Sequence, residues 1–175
     1  DDAPALAIIG CAATWPRFGG AAVSQAIVNP QELRAFAQRL KQFNSVLTQG
    51  AKVIVLDPVD SAAAAALVTL AQSQGVKVIA YDRPIPDAPA DYYVSFDNQG
   101  IGQAIAQSLV DHLKASGVPD GAGVLQINGS PTDAAAGLIR DGIDAALDAS
   151  AYKTLAEFDT PDWAPPEAQQ WAAGQ

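Results

Sequence analysis

The sequence predicts an α/β fold with parallel sheets. Three observations carry that expectation. Short apolar runs recur along the chain (ALAIIG, VIVLD, VKVIAYD, GVLQIN), and several close on a polar residue. Segments with apolar residues at helical spacing lie between them. The connections are short, and strands alternating with helices in this way form right-handed βαβ units over a parallel sheet.

Ala5 to Gly10 reads as the first strand, followed by a loop from Cys11 to Gly20 that contains Trp15, Pro16, Arg17 and Phe18. Asn29 caps a helix with Pro30 at its first position. An Asn side chain accepts from an orphan N–H there, and proline lacks the N–H that would go unpaired. Leu33, Phe36, Ala37, Leu40, Phe43 and Leu47 give that helix one apolar face, and Gly50 closes it. Val53 to Asp57 is a strand, Ser61 to Gln74 a helix of small residues, and Val76 to Asp82 the next strand after Gly75. Tyr92 to Phe96 is a more polar strand, suited to a sheet edge.

The pattern then restarts. Gln99 to Ala115 is a helix with Ile101, Ile105, Leu109 and Leu113 on one face. Gly123 to Asn128 is a strand. Thr132 to Ala149 is a helix carrying Leu138, Ile139, Ile143 and Leu147. Thr154 to Asp159 is a strand, and a last helix runs from Pro165 to Ala173. A lobe boundary is expected near Asp97 to Gln99.

Nearly half of the 175 residues are apolar but only 7% are aromatic, so Val, Ile, Leu and Ala must build the core. A net charge of −9 opposes nucleic acid and anionic membrane as partners. One cysteine allows no internal disulfide. The run Leu6 to Cys11 resembles a lipoprotein cleavage box. Its flank, Asp1 and Asp2, favours instead a first core strand with a buried thiol. The chain has no methionine and begins Asp1-Asp2-Ala3-Pro4, which reads as a processed or trimmed start.

The richest segment chemically is Gly75 to Arg83, GVKVIAYDR. In an open parallel sheet, ligands sit at the carboxyl ends of the strands. Asp82 and Arg83 place planar acceptors beside planar donors there, a pairing suited to a polyol. The residues alone leave two readings equal: a ligand clamp or a strand-end ion pair. Asp57, Asp60, Asp82 and Asp97 also raise the question of Mg²⁺ or a hydrolase pair. Arg83 and the lack of a phosphate loop favour polyol recognition. Gly100-Ile101-Gly102 lacks the third glycine of a dinucleotide fingerprint and reads as close helix packing. His112, the only histidine, lies mid-helix, which gives little support to a metal site or a catalytic triad. Arg140 reads as part of a solvated face and Trp171 as core. No cofactor is expected.

The segments GAKVIVLDP, GVKVIAYDRPI, DYYVSFDNQGIGQAIAQSLVDHL, GVLQINGSPTDAAAGLIRDGIDAAL and EFDTPDWAPPEAQQW occur in this order. Together they resemble the periplasmic sugar-binding proteins of ABC importers, type I fold, in the xylose-binding-like branch. The resemblance implies two Rossmann-like lobes joined by a hinge, with the first over residues 1–97 and an incomplete second over 98–175. It implies a monosaccharide, xylose or a related aldose, captured in the cleft between lobes and not transformed, so the protein is not an enzyme. It further implies a membrane ABC permease as partner, a monomer, and a periplasmic or extracellular location, lipid-anchored if Cys11 is the cleavage-box cysteine.

The resemblance also assigns residues. Asp82 and Arg83 match the ligand-binding dipeptide, and Arg17 and Phe18 match the arginine–aromatic pair after the first strand. Asp133 matches a carboxylate at a helix start, with Ala134 and Ala135 standing where amides often follow. Trp163 matches a tryptophan that stacks on the sugar. Two departures stand out. The second lobe stops early, which would leave a sheet edge and an apolar face uncovered. The stretch before Pro30 has no room for a loop, a helix and a strand. The main rival is the sugar-sensing domain of a transcription regulator or chemoreceptor system. A regulator needs a basic helix-turn-helix at its start, and none is visible.

Overall fold

In the structure, a computed structural model that describes residues 6–9 and 32–175, the strands are parallel as expected. The chain divides into two compact units, Asp1–Ser95 and Phe96–Gln175.

The first unit holds β1 (Leu6–Ile9), α1 (Glu32–Thr48), β2 (Val53–Leu56), α2 (Ala65–Ser73), β3 (Lys77–Tyr81) and β4 (Tyr92–Val94). Its strands are ordered β1-β2-β3-β4. Ile54 faces Val78 and Leu56 faces Ala80 in register, and all four are buried. Phe43 from α1 and Val68 from α2 close over that face and are fully buried. The expected helix at Ser61 begins four residues late. Asp60 Oδ1 accepts from Ala63 N at 2.8 Å and Asp60 O accepts from Ala64 N at 3.2 Å, so residues 61–64 form a turn that leads into α2. The Asn29 cap and Pro30 lie outside the described residues.

β3 and β4 are parallel, yet no helix connects them. The proline-rich loop makes the return, and Asp91 anchors its end. Asp91 Oδ1 accepts from Lys77 Nζ at 2.6 Å, and Oδ2 accepts from Val78 N at 2.9 Å and Gln72 Nε2 at 3.3 Å. These donors, Lys77 first, pull the Asp91 carboxyl down to about 2, and the same bond raises the Lys77 ammonium. β4 is exposed along its whole length, as befits an edge.

The second unit holds α3 (Asn98–Ala115), β5 (Gly123–Asn128), α4 (Ala134–Asp148), β6 (Lys153–Asp159), a 3₁₀ turn (Pro161–Trp163) and α5 (Pro165–Ala173). α3 and α4 pack through small residues. A Cβ on Gly102 would strike the Ile139 carbonyl, and one on Gly142 would strike the Gln99 carbonyl. The glycines of GIG are therefore divided: Gly102 serves helix packing, and Gly100 N donates to the Asp97 cap. Close approach along this seam turns Gly102, Ala106 and Val110 inward. Ile101, Ile105 and Leu109, the apolar face legible in the sequence, stay exposed instead. β5 and β6 form a two-stranded sheet among the described residues, with a bulge that leaves Leu155 unmatched.

Candidate functional site

β3 delivers Asp82 to the carboxyl end of the first sheet. The residue leaves the strand with φ 64°, in the left-handed region. Arg83 N donates to Tyr81 O at 2.8 Å across it, so Asp82 is the centre of a three-residue turn. Aspartate tolerates this region better than most residues, yet the conformation still costs about 1–2 kcal/mol. Asp82 N donates to Val94 O at 2.9 Å. Its carbonyl accepts from Ser95 Oγ at 2.7 Å and Tyr93 Oη at 3.1 Å.

The Asp82 backbone is thus fully engaged, while its partly exposed carboxylate accepts no hydrogen bond from the described residues. Arg83 is different. Its Nη1 donates to Pro58 O at 3.2 Å and to Val59 O at 2.9 Å. Those carbonyls, from the loop after β2, fix the guanidinium at the same sheet end. The pair is therefore a held cation beside an open anion. Asp60 and Asp97 are committed to the turn before α2 and the cap of α3. Two of the four carboxylates that raised a metal question are accounted for in this way.

In the second unit the structure brings Asp133 and Trp163 together. Asp133 caps α4: Oδ1 accepts from Ala135 N at 2.9 Å and Ala136 N at 3.3 Å. Its Oδ2 accepts from Trp163 Nε1 at 3.2 Å, and the residue is 5% exposed. Asp162 and Trp163 both adopt positive φ, 51° and 56°. That turn lays the indole over Gly129, where a Cβ would collide with Trp163 Cη2 and Cζ2. Gly129 is required for this reason. The indole stays 48% exposed.

A polar chain runs behind this cluster. Gln126 Nε2 donates to Asp144 Oδ1 at 2.9 Å and Asn128 Oδ1 at 3.0 Å, Asn128 Nδ2 donates to Asp159 Oδ1 at 3.1 Å, and Arg140 Nη1 donates to Asp159 Oδ2 at 3.2 Å. Arg140 is thus half-buried in an ion pair rather than on a solvated face. Its partner lies nineteen residues away, and no local pattern signals it. Trp171 stacks on Phe158 with ring centroids 5.5 Å apart. Arg17 and Phe18 lie outside the described residues.

Parallel α/β units with polar and aromatic side chains at their strand ends are an arrangement compatible with binding of a small polar ligand. Residues 8–175 match the family model described as a periplasmic binding protein domain, and the chain belongs to that family. It is 34% identical to the D-xylose-binding periplasmic protein of Escherichia coli over 134 residues, which is 74% of this chain and 39% of the relative. It is 38% identical to the multiple sugar-binding periplasmic receptor ChvE of Rhizobium radiobacter over 62% of this chain and 31% of the relative. The chain therefore spans well under half the length of these relatives. Among solved structures, the Caulobacter myo-inositol binding protein bound to myo-inositol matches with a TM-score of 0.72 and 25% identity, over 87% of this chain and 49% of that one.

Proposed function

We propose that this chain carries ligand-binding residues of an extracytoplasmic solute-binding protein for a monosaccharide, xylose or a related aldose. The observation that carries the reading is the open Asp82 carboxylate beside the held Arg83 guanidinium, at the carboxyl end of β3. A carboxylate accepts from two adjacent hydroxyls, and the guanidinium donates to a ring or hydroxyl oxygen. Relatives named for xylose, multiple sugars and myo-inositol all take ligands dense in hydroxyl groups, which supports the same chemistry here.

In this reading Arg17 and Phe18 join Asp82 and Arg83 in a first lobe over residues 1–97. Asp133 and Trp163 act in a partial second lobe over 98–175. The Trp163 face suits the C–H face of a pyranose. Asp133 holds the indole through its bond to the Trp163 N–H. The sugar leaves unchanged and passes to a membrane ABC permease. The protein works as a monomer in the periplasm or outside the cell, without cofactor or nucleic acid. Isothermal titration of the full-length protein against a panel of pentoses and hexoses tests this: heat that saturates at one site with a pentose is expected. No heat with any sugar overturns the proposal.

A further inference from the structure

We propose that Tyr93 and Ser95 are positioning residues for ligand binding. Their hydroxyls hold the Asp82 backbone in its left-handed conformation and thereby aim its carboxylate. The inference rests on the reading that Asp82 binds the sugar, and it adds two residues that do not touch the ligand in that reading.

The geometry converges on one residue. Three successive contacts come from β4 and the residue after it: Val94 O accepts from Asp82 N, and Tyr93 Oη and Ser95 Oγ both donate to Asp82 O. A fourth, Arg83 N to Tyr81 O, closes the turn from the other side. A non-glycine residue stays in a sparsely populated region only where its surroundings over-determine it. Here the over-determination is asymmetric. The two amide bonds come from backbone and survive any side-chain change. The two bonds to the carbonyl come from hydroxyls and vanish with them. Removing both frees the Asp82 carbonyl to rotate, and the Cα–Cβ direction of its carboxylate rotates with it.

Tyr93 lies on the exposed edge strand, where its ring packs into no core cluster. Ser95 is the last residue of the first unit. The bond at 2.7 Å from Ser95 is the shorter of the two and carries more of the effect.

The experiment uses the full-length protein, with D-xylose, D-glucose and myo-inositol as probes in titration calorimetry. Four variants are compared with wild type: Ser95→Ala, Tyr93→Phe, the double variant, and Ser95→Thr. Loss of orientation at a binding group is expected to weaken the best probe about tenfold or more in the double variant. Ser95→Thr, which keeps the hydroxyl, is expected to stay within about twofold of wild type. Amide hydrogen exchange at Asp82 and Arg83, read without ligand, is expected to speed up about tenfold in the double variant and not in Ser95→Thr. Unchanged affinity in the double variant, with wild type binding normally, overturns the positioning role. So does an affinity loss that Ser95→Thr fails to prevent. If wild type binds none of the probes, the sugar reading falls; unaltered exchange at Asp82 would then remove the positioning role as well. If the double variant does not fold, the single variants carry the same readouts.

Discussion

The two units solve the same packing problem with unequal means. In the first, two helices close over the sheet, and Phe43, Ile54, Val68 and Val78 are completely buried. Among the described residues, large exposed apolar side chains there cluster at the end of β3 and on the edge strand β4. In the second, the tightest core is Ala106, Val110, Leu147 and Tyr152. Leu125 and Ile127 remain exposed on β5, and so do Leu155 on β6 and Ile101, Ile105 and Leu109 on α3. The difference teaches that sheet width limits burial. Among the described residues, two strands and a glycine-lined helix seam leave large apolar side chains of their own sheet uncovered.

The largest effect that tests this contrast is in the core. Phe43→Ala should cost about 3–5 kcal/mol in denaturant unfolding, because it empties a fully enclosed site. Leu125→Ser should stay within about 0.5 kcal/mol. Comparable costs for the two would break the comparison.

The candidate binding residues should divide along the same line. Asp82→Asn removes the charge of a carboxylate with no protein partner among the described residues and keeps a side chain that tolerates positive φ. It should weaken sugar binding by about 1.5–3 kcal/mol, roughly ten- to a hundredfold, with little loss of stability. Asp133→Ala also removes a helix cap, so about 1 kcal/mol of stability should go with the affinity. Calorimetry and thermal melting on the same samples separate the two. An Asp82→Asn protein that melts as early as Asp133→Ala would contradict the open-carboxylate description.

Gly142→Ala should cost about 1–3 kcal/mol, since the new methyl meets backbone that cannot swing away. Gly137→Ala on the same helix meets open space and is the control. Equal melting temperatures for the two variants would mean that α3 and α4 are not in such close contact.

The smallest effect is the pH response of the loop anchor. Asp91 lies below its ordinary value of 3.8, at about 2. A depressed carboxyl contributes stability above its unfolded pKa and loses it as pH falls through the folded one. The Asp91 contribution should therefore be complete at neutral pH and fade between about pH 4 and pH 2. Lys77 is raised, so its share persists below its ordinary 10.5 and fades only at higher pH. Asp91→Asn should melt earlier than wild type at pH 7 and match it near pH 2. A constant gap across that range would assign the effect to packing.

Much of this molecule was legible as local pattern. The order of strands and helices followed from apolar runs bounded by glycine, because a buried parallel strand must be apolar on both faces. Asp82 and Arg83 stood out because strand ends in such sheets face ligand. Asp133 was readable as a helix start, and the close-packing sense of Gly102 was readable from the glycine pair. These inferences share one physical basis: they depend on residues a few positions apart.

What the tertiary structure decided depends on partners far along the chain. It chose the small-residue face of α3 over the larger apolar stripe, because two backbones approach within the reach of a single methyl. It drew Arg140 out of a presumed solvated face to Asp159, and it set Trp163 on Gly129 and Asp133. Above all it turned Asp82 into the left-handed region under three contacts from the far side of a proline-rich loop. The sequence determined which side chains are candidates for the chemistry. Only the fold determined that one of those carboxylates is held by its backbone and left open at its tip, because that requires a neighbouring strand to supply the bonds.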